Sequence, residues 1–266
     1  MGNSTMSNTI EKVYQSHYDR LYTLAFRMTG SHHDAEDVLQ TAFLHALKGW
    51  EKFRGESSVY TWLYRIVCNA AKQYRRKAEK LPVEVYAEEQ GLAESEVYRH
   101  INSYGQVEEK ALVEATRETC LQMFMNCMPP KYRAVFTLRC MLHLDVDETA
   151  RVLEISRESV KTNLHRARKA IRDHMEGRCS LIRPGAPCDC RSFAGYLRAT
   201  CKEDLALPII TVKTKERQAK KEFETELSDI LGIERLYDTR VLPPSFDGFL
   251  ERVEKKVKEQ KKLLRY

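Results

Sequence analysis

Residues 144–171 constrain the fold of this chain most, because they combine two amphipathic helical patterns with a tight turn between them. In the first pattern Asp145 is a good N-cap, and Glu148 follows at the spacing of a capping box. In the second pattern Ser156 can act as the cap. The apolar residues behind it recur at helical spacing, at Val160, Leu164, Ala167 and Ile171. Two short helices joined in this way predict a helix-turn-helix.

The second helix of this pair has a basic face opposite its apolar stripe. Residues 157–178 contain seven lysines and arginines against three acidic residues. Because the second helix of a helix-turn-helix enters the major groove, this face predicts binding to duplex DNA. The predicted contact residues are Arg157, Glu158, Ser159, Lys161, Thr162, Asn163, His165, Arg166, Arg168 and Lys169. The alternative is an ordinary helical pair with a solvated charged face, and Glu154 stands where such motifs usually carry a glycine of positive φ.

The composition fits a helical protein that remains in the cytoplasm. The sequence has no apolar run of 18 residues, and its N-terminus lacks an apolar signal core, so we expect no membrane insertion and a cytoplasmic location. The alternation typical of strands is scarce, with residues 207–212 as the one short candidate. We therefore expect an all-α fold made of two small helical domains with a mostly helical C-terminal extension.

Residues 10–80 predict the first of these domains, and two of its helices carry unusual faces. The helix that follows Gly30 has Leu44 in the middle of a polar face, which suggests a contact surface, although one exposed leucine is normal. A later helix, preceded by the loop 53–58, has an outward stripe of aromatic, amide and cationic residues. Its members are Trp62, Arg65, Asn69, Lys72 and Arg76. Rings stack on unpaired bases and cations meet phosphate, so the stripe favours nucleic acid; the alternative is that Trp62 is core and the cations are solvated.

Three segments in this order resemble the sigma-70 family of bacterial transcription initiation factors. They are DAEDVLQTAF at 34–43, FRGESSVYTWLYRIVCNAAKQYRRK at 53–77, and MPPKYRAVFTLRCMLHLDVDETARVLEISRESVKTNLHRARKAI at 128–171. The resemblance is closest to the small extracytoplasmic-function group, which keeps regions two and four of the family. It implies a protein without catalysis of its own that binds core RNA polymerase and directs it to promoters.

The resemblance also implies roles for the three faces. The helix that matches residues 34–50 would dock on the clamp helices of the polymerase β′ subunit, through Asp34, Asp37, Gln40, Thr41, Leu44 and Lys48. The segment 53–77 would recognise the −10 element and hold its non-template strand open, with one base flipped into the loop. Its implied contact residues are Arg54, Ser57, Tyr60, Thr61, Trp62, Arg65, Asn69, Lys72 and Arg76. The helix-turn-helix would read the −35 element as duplex, and an anti-sigma factor is a further partner that the family suggests.

The linker at 81–114 and the second domain at 115–176 complete the matched part of the chain. Residues 81–118 hold nine acidic residues against three basic ones and break the helical pattern, which predicts a flexible, solvated tether. The family's linker threads a basic polymerase channel, and a tether that becomes ordered on binding is compatible with both interpretations.

The extension at 177–266 contains four cysteines in the spacing C-x8-C-x-C-x10-C, namely Cys179, Cys188, Cys190 and Cys201. Four thiolates can hold zinc tetrahedrally, but the spacing differs from the paired C-x2-C of common sites, so free thiols are the alternative and no other cofactor is expected. Residues 213–231 and 246–264 predict two helices. The second is amphipathic and basic, and could pack on the body, bind a partner or lie against DNA.

The alternatives to a sigma factor are a free-standing regulator and an enzyme. A free-standing helix-turn-helix regulator would bind duplex DNA without polymerase, but it has no use for a strand-opening loop beside Trp62 or a docking face around Leu44. An enzyme has no support, because no nucleophile, base and orienting group appear at related positions.

Overall fold

The computed structural model describes residues 2–74, 80–200, 211–213, 237 and 239–263, and these residues are almost entirely helical. The first three helices are α1 (Gly2–Thr29), α2 (His32–Gly49) and α3 (Val59–Ala70), with 3-10 turns at Trp50–Lys52 and Ala71–Tyr74. The middle helices are α4 (Pro82–Gln90), α5 (Glu94–Asn102), α6 (Lys110–Asn126) and α7 (Pro130–Phe136), with a π-helical turn at Thr137–Met141. The later elements are α8 (Val146–Leu153), α9 (Arg157–Met175), α10 (Cys190–Thr200), β1 (Thr211–Lys213), β2 (Thr239–Val241) and α11 (Phe246–Leu263). The all-α prediction is confirmed apart from the short antiparallel pair β1–β2.

Helices α1, α2 and α3 pack together as the first helical unit. The apolar stripe of α2 is buried at Ala35, Val38, Leu39, Ala42 and Ala46. The buried face of α3 includes Leu63, Tyr64 and Val67. Since helices shorter than about 12–15 residues are marginal alone, this shared burial is what stabilises α3.

Helices α6 to α9 form the second unit around a separate apolar cluster. Here Arg133, in the middle of α7, is almost fully buried. Its guanidinium donates from Nη2 to the carbonyl oxygens of Asn126 at 2.9 Å and Met128 at 3.1 Å, and from Nη1 to that of Met28 at 2.9 Å. One cation therefore satisfies carbonyls at the ends of α6 and α1, which belong to different units.

The linker differs from the flexible tether that the acidic composition predicts, because it contains α4 and α5. Glu84 and Glu96 cap these helices by accepting from the N–H groups of Leu81 at 3.0 Å and Ala93 at 2.9 Å. Arg178, far along the chain, pairs with Glu84 and also with Glu94 at 2.8 Å. Among the carboxylates that suggested a solvated segment, Glu84, Glu94 and Glu96 are thus helix caps or ion-pair partners. Below them an apolar cluster joins the two helices to the extension; it includes Ala87, Val97, Tyr98, Ile101, Phe193 and Tyr196.

The C-terminal extension packs on both helical units. Tyr237 is fully buried against the second unit, where its ring meets Phe136 edge-on at 5.2 Å and its hydroxyl donates to the carbonyl of Leu121 at 3.0 Å. Helix α11 confirms the predicted last helix within the described residues and packs on the first unit. The predicted strand at 207–212 is described from residue 211 onward, and the predicted helix at 213–231 lies outside the described residues apart from Lys213, which is in β1.

The two units touch along an interdomain interface, formed by α1 and α3 on one side and α6, α7 and α8 on the other. Buried Arg27 of α1 donates to Gln122 at 3.0 Å and pairs with Glu118 of α6 at 3.4 Å. Arg20 donates to the carbonyl of Leu142 at 2.5 Å. In the part of the chain that the structure describes, no helix is both long and apolar enough to cross a membrane.

Candidate nucleic-acid and polymerase interfaces

The helix-turn-helix is formed by α8 and α9, and its predicted caps are confirmed. Asp145 accepts from the N–H of Glu148 at 2.7 Å, while the Glu148 carboxylate accepts from the N–H of Asp145 at 2.8 Å. Ser156 accepts from the N–H of Ser159 at 3.1 Å and starts α9. Glu154 ends α8 with φ 57° and ψ 45°, so the turn adopts the left-handed conformation without the usual glycine.

Helix α9 presents its predicted DNA-binding residues to solvent. The opposite stripe is buried at Val160, Leu164, Ala167 and Ile171, as the sequence pattern indicates. The exposed members of the predicted set are Arg157, Glu158, Lys161, Thr162, His165, Arg166 and Lys169, while Ser159, Asn163 and Arg168 are half-buried. Arg157 pairs with Asp147 at 2.9 Å and Lys169 with Asp173 at 2.7 Å. Because these pairs are exposed, they cost little to exchange for phosphate contacts.

The face of α3 that the sequence predicts for single-stranded DNA is partly covered by α8. The hydroxyl of Tyr60 donates to the Glu148 carboxylate, and this hydrogen bond raises the pKa of Tyr60. Arg65 lies 3.7 Å from the Glu154 carboxylate. Two of the predicted strand-contacting residues are therefore engaged by the helix-turn-helix of the same chain.

Thr61 was predicted as an accessible contact residue, and this placement is wrong, because its exposed fraction is 1%. Its N–H donates to the Ser58 hydroxyl at 3.3 Å, and the two hydroxyl oxygens lie 2.7 Å apart. Thr61 thus belongs to the N-terminal cap of α3, where the side chain of the third helical residue turns inward.

Trp62 stands in an aromatic group with Trp50 and Phe53, at ring distances of 5.9 and 5.1 Å. Its indole is half-buried against the first core, and a Cβ on Gly49 would approach it to 3.1 Å. Trp62 therefore packs on the core, and because it is only half-buried, its stacking on an unpaired base stays a prediction.

The remaining residues of this predicted set are accessible or lie outside the described residues. Arg54 is exposed and Ser57 half-buried on the loop. Asn69 and Lys72 are exposed, and the Lys72 ammonium donates to the Asn69 side chain at 2.5 Å. Arg76 lies outside the described residues.

The predicted polymerase-binding face of α2 is mixed in its exposure. Lys48 is exposed, whereas Asp34, Asp37, Thr41 and Leu44 are half-buried. Leu44 packs partly against the first core. Gln40 was predicted on the accessible face and is instead buried, with 7% exposed, so that placement is wrong. It lies one turn before buried Phe43, at the edge of the apolar stripe.

Sequence reasoning missed the residues that cover the acidic end of this face. Lys256 of α11 lies 3.1 Å from the Asp37 carboxylate, and Arg252 lies 3.1 Å from that of Glu36. The basic, amphipathic pattern of α11 was visible in the sequence, but its position on α2 was not.

The described cysteines of the extension, Cys179, Cys188 and Cys190, lie near one another and near Cys120 of α6. Cys179 and Cys188 are partners in an isolated parallel β-bridge. Burial, with the neighbouring thiols adding to it, raises the pKa of Cys188 to about 12 and that of Cys190 to about 11. Within the described ranges no group of His, Cys, Asp or Glu has the arrangement of a metal site. Cys201 lies outside them, so zinc binding by the four predicted cysteines stays a prediction.

Comparisons with known proteins match both helical units. The family model for sigma-70 region 2 matches residues 13–81, and that for sigma-70 region 4 matches residues 118–171. The ECF RNA polymerase sigma factor SigW of Bacillus subtilis is 34% identical over 59% of this chain and 83% of its own length. The sigma factor YlaC of the same organism is 30% identical over 63% of this chain and 92% of its own length.

A solved structure is also similar, that of the sigma factor RpoE in complex with the anti-sigma factor NepR from Bartonella quintana. It is 16% identical, with a TM-score of 0.38, and the match covers 59% of this chain and 89% of that one. The two sigma-70 regions and the extensive alignments with SigW and YlaC decide the assignment. The chain belongs to the extracytoplasmic-function group of the sigma-70 family, whose members are RNA polymerase sigma factors.

Proposed function

We propose that this sigma factor directs transcription initiation through three separate faces: α2 for core polymerase, α3 and its preceding loop for the opened −10 strand, and α9 for the −35 duplex. The observation that carries the proposal is the capped helix-turn-helix with an exposed basic α9, in a chain that also contains the region 2 unit. We further propose that it acts in the bacterial cytoplasm and catalyses no reaction itself.

The α9 face supports duplex reading because its charges and hydrogen-bonding groups lie on one accessible side. Arginine can bond a guanine edge in two places, and other cations near it can neutralise phosphate. Arg166 is exposed near the middle of the helix, beside His165 and Thr162. We assign base contacts to these residues and phosphate contacts to Arg157 and Lys169.

The loop before α3 supports capture of an unpaired base because it is exposed next to the aromatic group of Trp50, Phe53 and Trp62. Stacking of a base on an aromatic ring contributes about 1–3 kcal/mol, which can offset the few kcal/mol that unstacking costs. Arg54 and Ser57 would flank the base, and Asn69 and Lys72 would follow the strand. Buried Thr61 is not part of this proposed contact set.

The α2 face is the proposed polymerase contact, and exposed Lys48 offers a clean test of it. The full-length protein is mixed with core polymerase, purified with it, and used in run-off transcription on genomic fragments. We expect Lys48→Glu to weaken core binding several-fold, because a charged residue at the edge of an interface changes the rate at which the partners associate. Lys52→Glu is the matched control, because it makes the same charge change at an exposed residue just beyond α2.

The outcomes separate the two candidate functions. Start-site-specific transcripts that depend on the protein would support the sigma activity and reveal the promoter. Binding to duplex DNA without any binding to core polymerase would favour the free-standing regulator. An anti-sigma factor stays a prediction that rests on the family resemblance.

A further inference from the structure

Helix α11 is seated on the first helical unit through a cluster of aromatic rings. Phe249 is fully buried, and its ring is almost parallel to that of Tyr14 at 6.0 Å. It also meets Tyr18 at 5.1 Å and Phe43 of α2 at 5.8 Å. Phe246 adds an edge-on contact with Tyr18 at 5.1 Å. Aromatic pairs of this kind contribute beyond the area that they bury, so α11 has a defined seat.

The charges of α11 complement those of α2. Arg252 faces Glu36 and Lys256 faces Asp37, each pair at 3.1 Å. The two basic residues are four apart, one helical turn, and so meet adjacent acidic residues on the neighbouring helix. Lys255 and Lys258 of the same helix are exposed, and neither is paired with α2 in the described structure.

Two anchors upstream hold the start of α11 in place. Buried Tyr237 is fixed in the second unit by its bond to the Leu121 carbonyl at 3.0 Å. Val241 in β2 is buried. Its carbonyl accepts a hydrogen bond from the Thr23 hydroxyl at 3.5 Å, and its N–H donates to the same hydroxyl at 3.2 Å. Because these anchors lie on either side of the interdomain interface, the extension bridges the two units.

We propose that the C-terminal extension is an internal competitor of core RNA polymerase: α11 occupies the acidic end of α2 and must leave before polymerase can dock there. The inference rests on the proposed docking of polymerase at α2. Asp37, Thr41, Leu44 and Lys48 lie at spacings of three or four residues and share one helix face, so a partner that spans this face meets α11 at Asp37.

The contacts of α11 are strong enough to hold a tethered segment and weak enough for polymerase to displace it. A tethered segment faces its site at an effective concentration of about millimolar, so modest contacts are enough to keep it bound. The ion pairs are half-exposed, which makes each of them weak and sensitive to salt. Polymerase can therefore compete, and any factor that loosens α11 raises the apparent affinity of the chain for core.

The test uses the full-length chain with charges reversed on α11. Arg252→Glu/Lys256→Glu places like charges against Glu36 and Asp37, and we expect roughly three- to tenfold tighter binding to core polymerase. Lys255→Glu/Lys258→Glu makes the same charge change on the exposed side of the same helix and should bind as the unaltered protein does. Each protein is measured with and without Lys48→Glu, by equilibrium titration against core.

The results distinguish the two proposals. If Lys48→Glu weakens binding but the two α11 variants bind equally, α11 does not compete and the inference is overturned while the docking face stands. If Lys48→Glu has no effect in any background, the docking face itself has been misassigned. Tighter binding by the Arg252/Lys256 variant alone, together with weaker binding by Lys48→Glu in every background, supports both.

A second measurement needs no substitution and so does not depend on a variant that folds. Amide hydrogen exchange of the unaltered protein is recorded free and bound to core polymerase. We expect the amides of α11 to lose protection when core binds, while those of α2 keep theirs. Undiminished protection of α11 in the bound state would overturn the inference.

Discussion

The proposed duplex-binding face of α9 and the proposed faces of α2 and α3 differ in what covers them. The exposed set on α9 includes Arg157, Lys161 and Arg166, and no described helix lies across it. In contrast, Tyr60 and Arg65 of α3 contact α8, and Asp37 of α2 contacts α11. One face is open, and the other two are occupied by parts of the same chain.

This difference shows that the two kinds of face depend on different interactions. The α9 face needs only local caps at Asp145 and Ser156 and a buried stripe on its opposite side. The contacts that cover the α2 and α3 faces join residues far apart in the chain, by up to 219 positions for Lys256 and Asp37. If the proposed faces are correct, duplex recognition needs no rearrangement of this conformation, whereas polymerase docking and strand capture need α11 and α8 to move away.

The largest loss of folding stability should come from breaking the interdomain interface at Arg27. Arg27→Met removes the cation beside buried Glu118, and breaking a buried ion pair by removing one partner costs about 3–5 kcal/mol of folding free energy. Urea denaturation of the full chain measures this loss. The double variant Arg27→Met/Glu118→Met removes both charges and should recover most of the stability. A double variant as unstable as the single one would show that packing, and not charge, matters at this position.

The next largest effect is on duplex affinity, and it tests the exposed face of α9. Arg166→Ala should weaken binding to promoter duplex by about 1–3 kcal/mol, or roughly five- to 150-fold, because a bidentate contact to a base is lost. Arg183→Ala removes the same charge from an exposed position in the extension and serves as the control in a fluorescence-anisotropy titration. Core binding should be unchanged in both. An equal loss of duplex affinity from the two variants would assign the effect to net charge.

The smallest change in stability concerns the turn between α8 and α9. Glu154 has positive φ and also faces Arg65, so it combines backbone strain with a weak, exposed ion pair. Glu154→Gly and Glu154→Ala both remove the carboxylate, but only glycine relieves the strain. We expect the glycine variant to be more stable than the alanine variant by about 1 kcal/mol in thermal or urea denaturation. Equal stabilities would mean that the left-handed turn costs little here.

The local part of this structure could be predicted from sequence, and the long-range part could not. The caps at Asp145 and Ser156 follow from residue type and spacing, and the turn at Glu154 follows from the spacing of the two helical patterns alone. Helices α4 and α5 were missed because they are short and depend on Arg178 and on packing against the extension. Gln40 and Thr61 were misplaced because a polar residue at the edge of a helix face can turn either way, and the neighbouring element decides.

Buried Arg133 affects how much free energy it costs to separate the two units. When the units separate, its guanidinium keeps its two carbonyl partners in the second unit and gives up the one from Met28, which water can then satisfy. Such an exchange changes the free energy by about 0.5–1.5 kcal/mol, far less than the loss of a buried charge partner. The Arg133 contact thus favours one alignment of the two units while adding little of its own to the cost of separating them.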